Sequence, residues 1–519
     1  MPAVLKIGLI SQSASGPTEI VNLITWAQSR DDMEISHLIL CPKDAQPHRL
    51  NALTFSALTA LESVLKRQSD FADYVPQQDL TVAVPTVLEV HTTSDQGLEQ
   101  IRATGCDVLI QWDDADIPPQ IAACVPFGVL GVHYGTSTSD SDPPGFTEVL
   151  QREPTTAFEL QHYDAAGRRV LRRGTHATTS SFLTNRASVA QLSQHHLRWA
   201  LAQLAVHRAL PTPLSEQPGP LGTAAVPQLR RQVAYFVRRL RSIISNRWER
   251  LRHREPIWSV GFQQANWPEL DPARAIEIPN PPGTFLADPF VIEHQGQHYC
   301  FVEEFPFATQ KGIISVYALE GDTSRRLGVA LEEDFHLSFP NVFHYQGEVY
   351  MCPETLGAGE IRVYRCVDFP LHWEVAQVLL PEVDACDTLL LPRNDQWWML
   401  TNIDPSGLGK PGSELHAFWS DSPLSDRWQP HPDNPLITDA QAARNGGVLC
   451  DDSGIHRVAQ RLGFIVYGTG ATIRRIDQLD EQGYAEEVVR ALEPNFLPGI
   501  RGCHHLHTNN HYTVFDFAR

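Results

Sequence analysis

Residues 285–304, FLADPFVIEHQGQHYCFVEE, read as one β-hairpin. A strand covers 288–293, a turn falls at Gln295-Gly296, and an aromatic and aliphatic strand returns over 298–303. Gly, Asn and Asp take the positive φ of tight hairpin turns most cheaply. Both ends of the hairpin carry carboxylates, Asp288 on entry and Glu303 and Glu304 on exit. The pattern recurs four times. The steps from Asp288 to Gly296 and Tyr299 are repeated from Phe339 to Gly347 and Tyr350, and from Asp387 to Asp395 and Trp398. They are repeated again from Gly446 to Gly454 and Arg457, and from Arg501 to Asn509 and Tyr512. The starts lie about 50 residues apart, a period that suits propeller blades. Five units predict a five-bladed β-propeller. The first strand of each blade lines the central channel, so Asp288, Asn341, Asp387, Asn445 and His504 or His505 are expected to converge at one mouth. Asn and Asp favour strand starts and turns in any case. The expectation therefore rests on the set, not on any one position.

The chain has 519 residues, enough for two or three domains. It is 42% hydrophobic, with no apolar run near the ~20 residues of a membrane span. The opening MPAVLKIGLISQ enters a strand without a basic leader, so no signal peptide is expected. Nine cysteines are scattered without a CxxC pair, which fits a reducing compartment and no zinc or disulfide framework. The expected location is cytoplasmic, with peripheral contact at the inner membrane face as an option. A net charge of −20 argues against nucleic acid as a partner of the whole chain.

Residues 1–210 alternate strand and helix. Strands are expected at 4–10, 35–41, 81–91, 107–111, 125–134 and 155–163, with helices at 18–28, 51–67 and 95–104. Such alternation gives a mostly parallel, Rossmann-like α/β sheet. SASGPTE after the first strand has no GxGxxG, so a dinucleotide site is not supported.

Residues 107–174 carry PPQIAACVPFGVLGVHYG, PPGFTEVLQREPTTAFELQ and DAAGRRVLRRG. These runs resemble the N-terminal domain of formyltransferases that use a formyl-folate. The resemblance implies a formyltransferase-type fold with an Asn-x-His and an Asp as catalytic groups. His133 keeps the histidine, Gly131 stands where the asparagine belongs, and GTSTSD replaces a Ser-Leu-Leu-Pro segment. The aspartate position falls at Ala165 or Ala166, with Asp164 beside it. His133 is thus a catalytic candidate only for formyl transfer to an amino sugar, and formyl-tetrahydrofolate is not expected as a cofactor. A strand-end histidine satisfied by its neighbours is the plainer reading.

Residues 211–258 form a Pro/Gly linker and then a basic helix. Val233, Phe236, Val237, Leu240, Ile243, Ile244, Trp248 and Leu251 recur at helical spacing. Arginines at 230, 231, 238, 239, 241, 247, 250, 252 and 254 fill the rest. An interdomain packing helix is one reading; contact of residues 228–254 with an anionic membrane surface is the other.

Residues 259–519 make the propeller. The segment 285–519 resembles five-bladed glycoside hydrolase families that contain arabinanases, xylosidases and invertases. It resembles more closely the propeller domain of plant glucosamine inositolphosphorylceramide transferases. The resemblance lies in Ala287-Asp288-Pro289, Phe339-Pro340-Asn341, Cys352-Pro353-Glu354-Thr355, Cys386-Asp387, Arg444-Asn445-Gly446-Gly447 and Gly502-x-His504. It implies Asp288 as base and Asp387 as its partner. The hydrolases' acid Glu belongs to the fourth blade, which opens here with ARNGG; Glu354 and Glu304 are the substitutes. An Asp base with Arg and His nearby suits transfer from an activated sugar, whose phosphate leaving group needs charge neutralisation. The expected substrate-binding residues are Glu304, Asn341, Arg444, Asn445, His504 and His505.

His504, His505 and His507 could suggest a metal, but strand alternation separates 504 from 505 and 507, so no metal is assigned. Trp373, Trp397, Trp398, Trp419 and Trp428 are read chiefly as blade core, with sugar stacking as the other role. The sequence therefore points to a sugar transferase of surface-glycan or glycolipid assembly, with a nucleotide sugar as candidate donor and a glycan or glycolipid as acceptor. A glycan-binding scaffold, an amino-sugar N-formyltransferase and a propeller glycosidase are the alternatives.

Overall fold

The computed structural model describes residues 4–41, 49–65, 74–90, 94–112, 118–135, 142–215, 226–251, 257–408 and 410–519, with backbone alone at 49, 65, 243 and 245–251. Two compact units divide between Leu251 and Arg252.

The first unit is built on a seven-stranded sheet. Its order is Thr86–Glu89, Met33–Leu40, Leu5–Ser11, Val108–Gln111, Val129–Tyr134, Thr155–Asp164, Gly167–Ala177. The first five strands are parallel and the last two antiparallel. All four residues of Val108–Gln111 are buried, as expected of a strand covered on both faces. The strand expected over 81–91 is shorter. Asp79 accepts a hydrogen bond from the Thr81 N–H and caps a helical turn at Leu80–Val82, and the strand begins only at Thr86.

The sequence reading did not place the 26-residue helix Phe182–His207. Ser181 caps it by accepting from the Thr184 N–H, and its Asn185, Ser188 and Ser193 are as buried as its leucines. A helix enclosed on most sides shows no apolar stripe, which removes the usual signal.

The basic helix Leu229–Leu251 belongs to this first unit. Tyr235 pins it: its hydroxyl donates to Glu62 and accepts from the Phe182 N–H at 2.8 Å. Arg231 pairs with Asp142 and donates to Thr147, and Arg238 donates to the Leu150 carbonyl. Some of its arginines therefore face the unit's own polar groups. Residues 252–254, and the side chains of Arg247, Trp248 and Arg250, lie outside the described residues.

The second unit is a five-bladed propeller of four-stranded antiparallel sheets, the third carrying an additional short strand. Blades one to four open with Thr284–His294, Ser338–Tyr345, Ala385–Arg393 and Asn445–Asp451. The fifth joins both ends of the unit: Leu506–Thr508 and Thr513–Ala518 pair onward to Trp258–Gln263 and Ile276–Ile278. The fifth repeat departs from the sequence frame, because Arg501 is exposed and outside any strand.

The first strand of each of blades one to four breaks register at the same place, between Ala287 and Phe290, Ser338 and Asn341, Cys386 and Leu389, and Asn445 and Val448. Asp288, Phe339 and Asp387 sit in these bulges at φ of 48°, 48° and 50°. A bulge re-aims the side chain it carries. Here it supplies carboxylates in the first and third blades, and in the second it supplies Phe339, which packs on Phe290 at 5.0 Å.

Candidate active site

The propeller's acidic mouth is assembled from three directions. Asp288 and Asp387 come from the bulges. Glu303 and Glu354 come from the second strands of blades one and two, opposite Ala287 and Ser338, the residues just before the bulges. His504 comes from the fifth blade.

His504 lies between two carboxylates: its Nε2 is 3.1 Å from Asp288 Oδ1, and its Nδ1 is 3.1 Å from Asp516 Oδ2. Asp516, fully buried, fixes the backbone too; its carboxylate accepts from the N–H groups of His504 and His505 at 3.0 Å each and of Asp288 at 3.3 Å. Burial alone would lower the His504 pKa, but Asp516 and Asp288 outweigh it and raise it to about 10. Burial would raise Asp288, but the hydrogen bond and charge of His504, with His505, hold it below its ordinary value. At neutral pH His504 is an imidazolium and Asp288 a carboxylate.

The other carboxyls go the opposite way. Burial, then Asp387, raises Glu354 to about 8. Burial, then Asp288 and Glu354, raises Glu303 well above the carboxylate range. Burial also raises Asp387, against the opposing charge of Arg444, whose Nε donates to Asp387 Oδ2 at 2.6 Å. An ionised Asp288 beside protonated Glu303 and Glu354 is the separation that divides base from acid. Arg444 lies over the Tyr467 ring at 5.5 Å, and Tyr467 is 48% exposed. The Nη groups of Arg444 make no hydrogen bond among the described residues.

The structure therefore brings together Asp288, Asp387, Glu354, Arg444 and His504 from the sequence prediction. It does not bring Glu304, whose carboxylate turns away to accept from Ser315 Oγ at 2.7 Å and Arg326 Nη2 at 2.8 Å. Adjacent strand residues point to opposite faces, and Glu303 takes the place expected for Glu304. Asn341 and Asn445 are braces between blades. Asn341 Oδ1 accepts from the Leu390 N–H at 2.9 Å, and Asn445 Nδ2 donates to the Asp387 carbonyl at 2.8 Å.

His505 is fully buried, 3.6 Å from Asp288 and packed against Phe290 and Phe339; burial drives its pKa down to about 3, so it is neutral. His507 accepts from the Val291 N–H at 3.2 Å. Trp398 and Trp428 are buried, and Trp373, Trp397 and Trp419 pack against blade cores. The exposed aromatic ring over Arg444 is that of Tyr467, which the sequence reading missed along with Glu303 and Asp516.

In the first unit, His133 Nε2 is 2.6 Å from the Tyr163 hydroxyl. A Cβ on Gly131 would come 3.1 Å from the same nitrogen, so the imidazole occupies the space an Asn-x-His pair would need. Asp164 pairs with Arg169 at the hairpin end, beside the start of the strand Val129–Tyr134 that carries His133 near its far end. The strand rise separates them by roughly 16 Å.

Residues 255–496 match the family model described as glucosamine inositolphosphorylceramide transferase 1, N-terminal. The Arabidopsis thaliana glucosamine inositolphosphorylceramide transferase 1 is 36% identical over 235 residues, covering 43% of this chain and 30% of that protein. The Oryza sativa subsp. japonica protein of the same name is 33% identical over 243 residues, covering 44% and 32%. The chain thus spans about a third of the length of these relatives. Among solved structures, a family 117 glycoside hydrolase from Zobellia galactanivorans has a TM-score of 0.33 at 13% identity, covering 50% of this chain and 90% of that one. The Coprinopsis cinerea GH62 alpha-L-arabinofuranosidase catalytic domain has a TM-score of 0.34 at 11% identity, covering 45% and 90%.

Proposed function

We propose that the propeller mouth transfers a sugar from an activated donor to a hydroxyl of a glycan or glycolipid. The observation that carries this reading is the opposed protonation of its carboxyls, with Asp288 held as an anion by His504 while Glu354 is raised to about 8. In this reading Asp288 takes the proton of the acceptor hydroxyl as its oxygen bonds to the anomeric carbon. The bond from that carbon to the donor's phosphate oxygen breaks, and the phosphate leaves with the electron pair. The unoccupied Nη groups of Arg444 meet that phosphate in bidentate geometry. Glu354, protonated, donates a hydrogen bond to a sugar or leaving oxygen, and Tyr467 offers a ring face to the sugar. His504 and Asp516 act as positioning residues. The names of the relatives support an inositolphosphoryl lipid as the first acceptor to try.

A second reading is favoured by Glu303 and Glu354, which supply the protonated acid that the fourth blade lacks. With such an acid the same mouth suits glycoside hydrolysis. Mass spectrometry of acceptor incubated with the intact protein and a panel of nucleotide sugars separates the two. Gain of one sugar by the acceptor, with nucleotide release, supports transfer. Release of free sugar from simple glycosides, with no adduct on the acceptor, supports hydrolysis and overturns transfer.

A further inference from the structure

We propose that the helix pair Arg49–Leu65 and Leu229–Leu251 of the first unit is a docking face for an anionic lipid bilayer. The proposal does not depend on the chemistry assigned to the propeller.

The first helix is unusual for a surface element. Leu50, Leu53, Leu61 and Val64 are 64%, 69%, 45% and 63% exposed, and the helix carries only Arg49 and Glu62 as charges. Glu62 is buried and bound to Tyr235, so it adds no charge to the outer face. The second helix exposes Val233, Phe236, Val237, Leu240 and Ile244, recurring at helical spacing. Their apolar faces meet in a groove of about 220 Å³ whose lining includes Leu58, Leu61, Phe236, Leu240 and Arg239. Scattered surface leucines need no explanation, but a contiguous apolar face on two helices marks a partner.

Charge identifies that partner. Arg230 and Arg241 are exposed and make no ion pair among the described residues, unlike Arg231 and Arg238, which are tied to the unit itself. The described stretch 229–242 contains five arginines and no acidic residue, in a chain of net charge −20. An acidic protein is on the whole repelled by an anionic bilayer, and a basic apolar face offsets this locally, so the arginines orient it as well as hold it. Arginines beside apolar side chains that enter the headgroup boundary are the chemistry of a helix lying in the interface.

The test is flotation of the full chain with vesicles of phosphatidylcholine alone, or with phosphatidylserine at about one lipid in three. Wild-type protein is expected to float with the anionic vesicles and not with the neutral ones, and to be released by salt. Removing two exposed charges in Arg230→Ala/Arg241→Ala should weaken partitioning roughly 30-fold, at about 1 kcal/mol per arginine. Phe236→Ser/Leu240→Ser should abolish it, with the unfolding temperature of each variant confirming an intact fold. Wild type that ignores anionic vesicles, or either variant floating like wild type, overturns the proposal. So does a lipid-free wild-type dimer that the Phe236→Ser/Leu240→Ser variant loses, which would assign the face to a second copy.

Discussion

His504 lies 3.1 Å from Asp288, and with Asp516 on its other ring nitrogen it forms a carboxylate–imidazolium–carboxylate sandwich from the first and last blades. The arrangement closes the propeller ring at its acidic mouth. The strand bearing Asp516 also pairs with Trp258–Gln263, so ring closure and the ionisation of Asp288 share one element.

Stability should fall as pH rises. His504 is raised from 6.5 to about 10, so its contribution is complete below pH 6.5 and is lost as pH climbs through about 10. Glu354, raised from 4.5 to about 8, acts in the same direction between those values, because the folded state holds its proton more tightly. Asp288, lowered, acts oppositely under acid conditions, and so do His505 and His507, lowered from 6.5 to about 3, so the fall with pH is expected above about pH 6.5. The unfolding temperature, followed by calorimetry, should peak in mildly acid buffer and decline steadily toward pH 10.

Asp516→Asn should move a pH profile and not merely reduce a rate. Losing that carboxylate removes the largest influence that raises His504. The His504 titration should then shift toward neutrality, visible by NMR of the imidazole. Activity should develop a new loss as His504 deprotonates and Asp288 loses its counter-charge. An unchanged His504 titration would show that Asp516 only supports the backbone.

Arg444→Ala should raise KM for a phosphate-bearing donor and cost about 2 kcal/mol or more, since Asp387 loses its charge partner in a buried site. Arg444→Lys should recover little, because it offers one point charge where the guanidinium offers a fork. Steady-state kinetics on the two variants, with calorimetry beside them, checks both parts.

Arg457 supplies a stability prediction away from the mouth. It occupies the place of Tyr299, Tyr350 and Trp398 in the other repeats, yet it is fully buried and bidentate to Glu486 at 3.0 and 2.7 Å. It also donates to the carbonyls of Ala442 and Ala443. Arg457→Ala should destabilise the propeller by about 2–3 kcal/mol, because the buried carbonyls of Ala442 and Ala443 lose their donor while Glu486 keeps Arg474 and Tyr484. Denaturant unfolding measures it.

The hairpins were readable because turn chemistry and alternation are local properties: Gln295-Gly296 and Gln346-Gly347 take positive φ where the pattern required it. Which carboxylates enter the mouth depends on strand pairing. Glu303 and Glu354 occupy the same place in successive repeats, opposite Ala287 and Ser338, and comparing repeats in that frame would have chosen Glu303 over Glu304. Asp516 had no such signal, because the fifth blade is built from both ends of the unit and its short first strand departs from the frame. Asn341 and Asn445 were drawn to the mouth by their position, but their amides are used in bracing neighbouring blades.

Asp288→Asn in the intact protein, assayed for sugar transfer beside wild type, tests the proposed role of Asp288 as base most directly. Asparagine tolerates the left-handed backbone that Asp288 adopts at φ 48°, so the charge is removed without adding strain. The rate should fall roughly 10²–10⁴-fold, the usual contribution of a general base, with folding retained. Full activity in a folded Asp288→Asn protein would contradict that role and place the chemistry elsewhere.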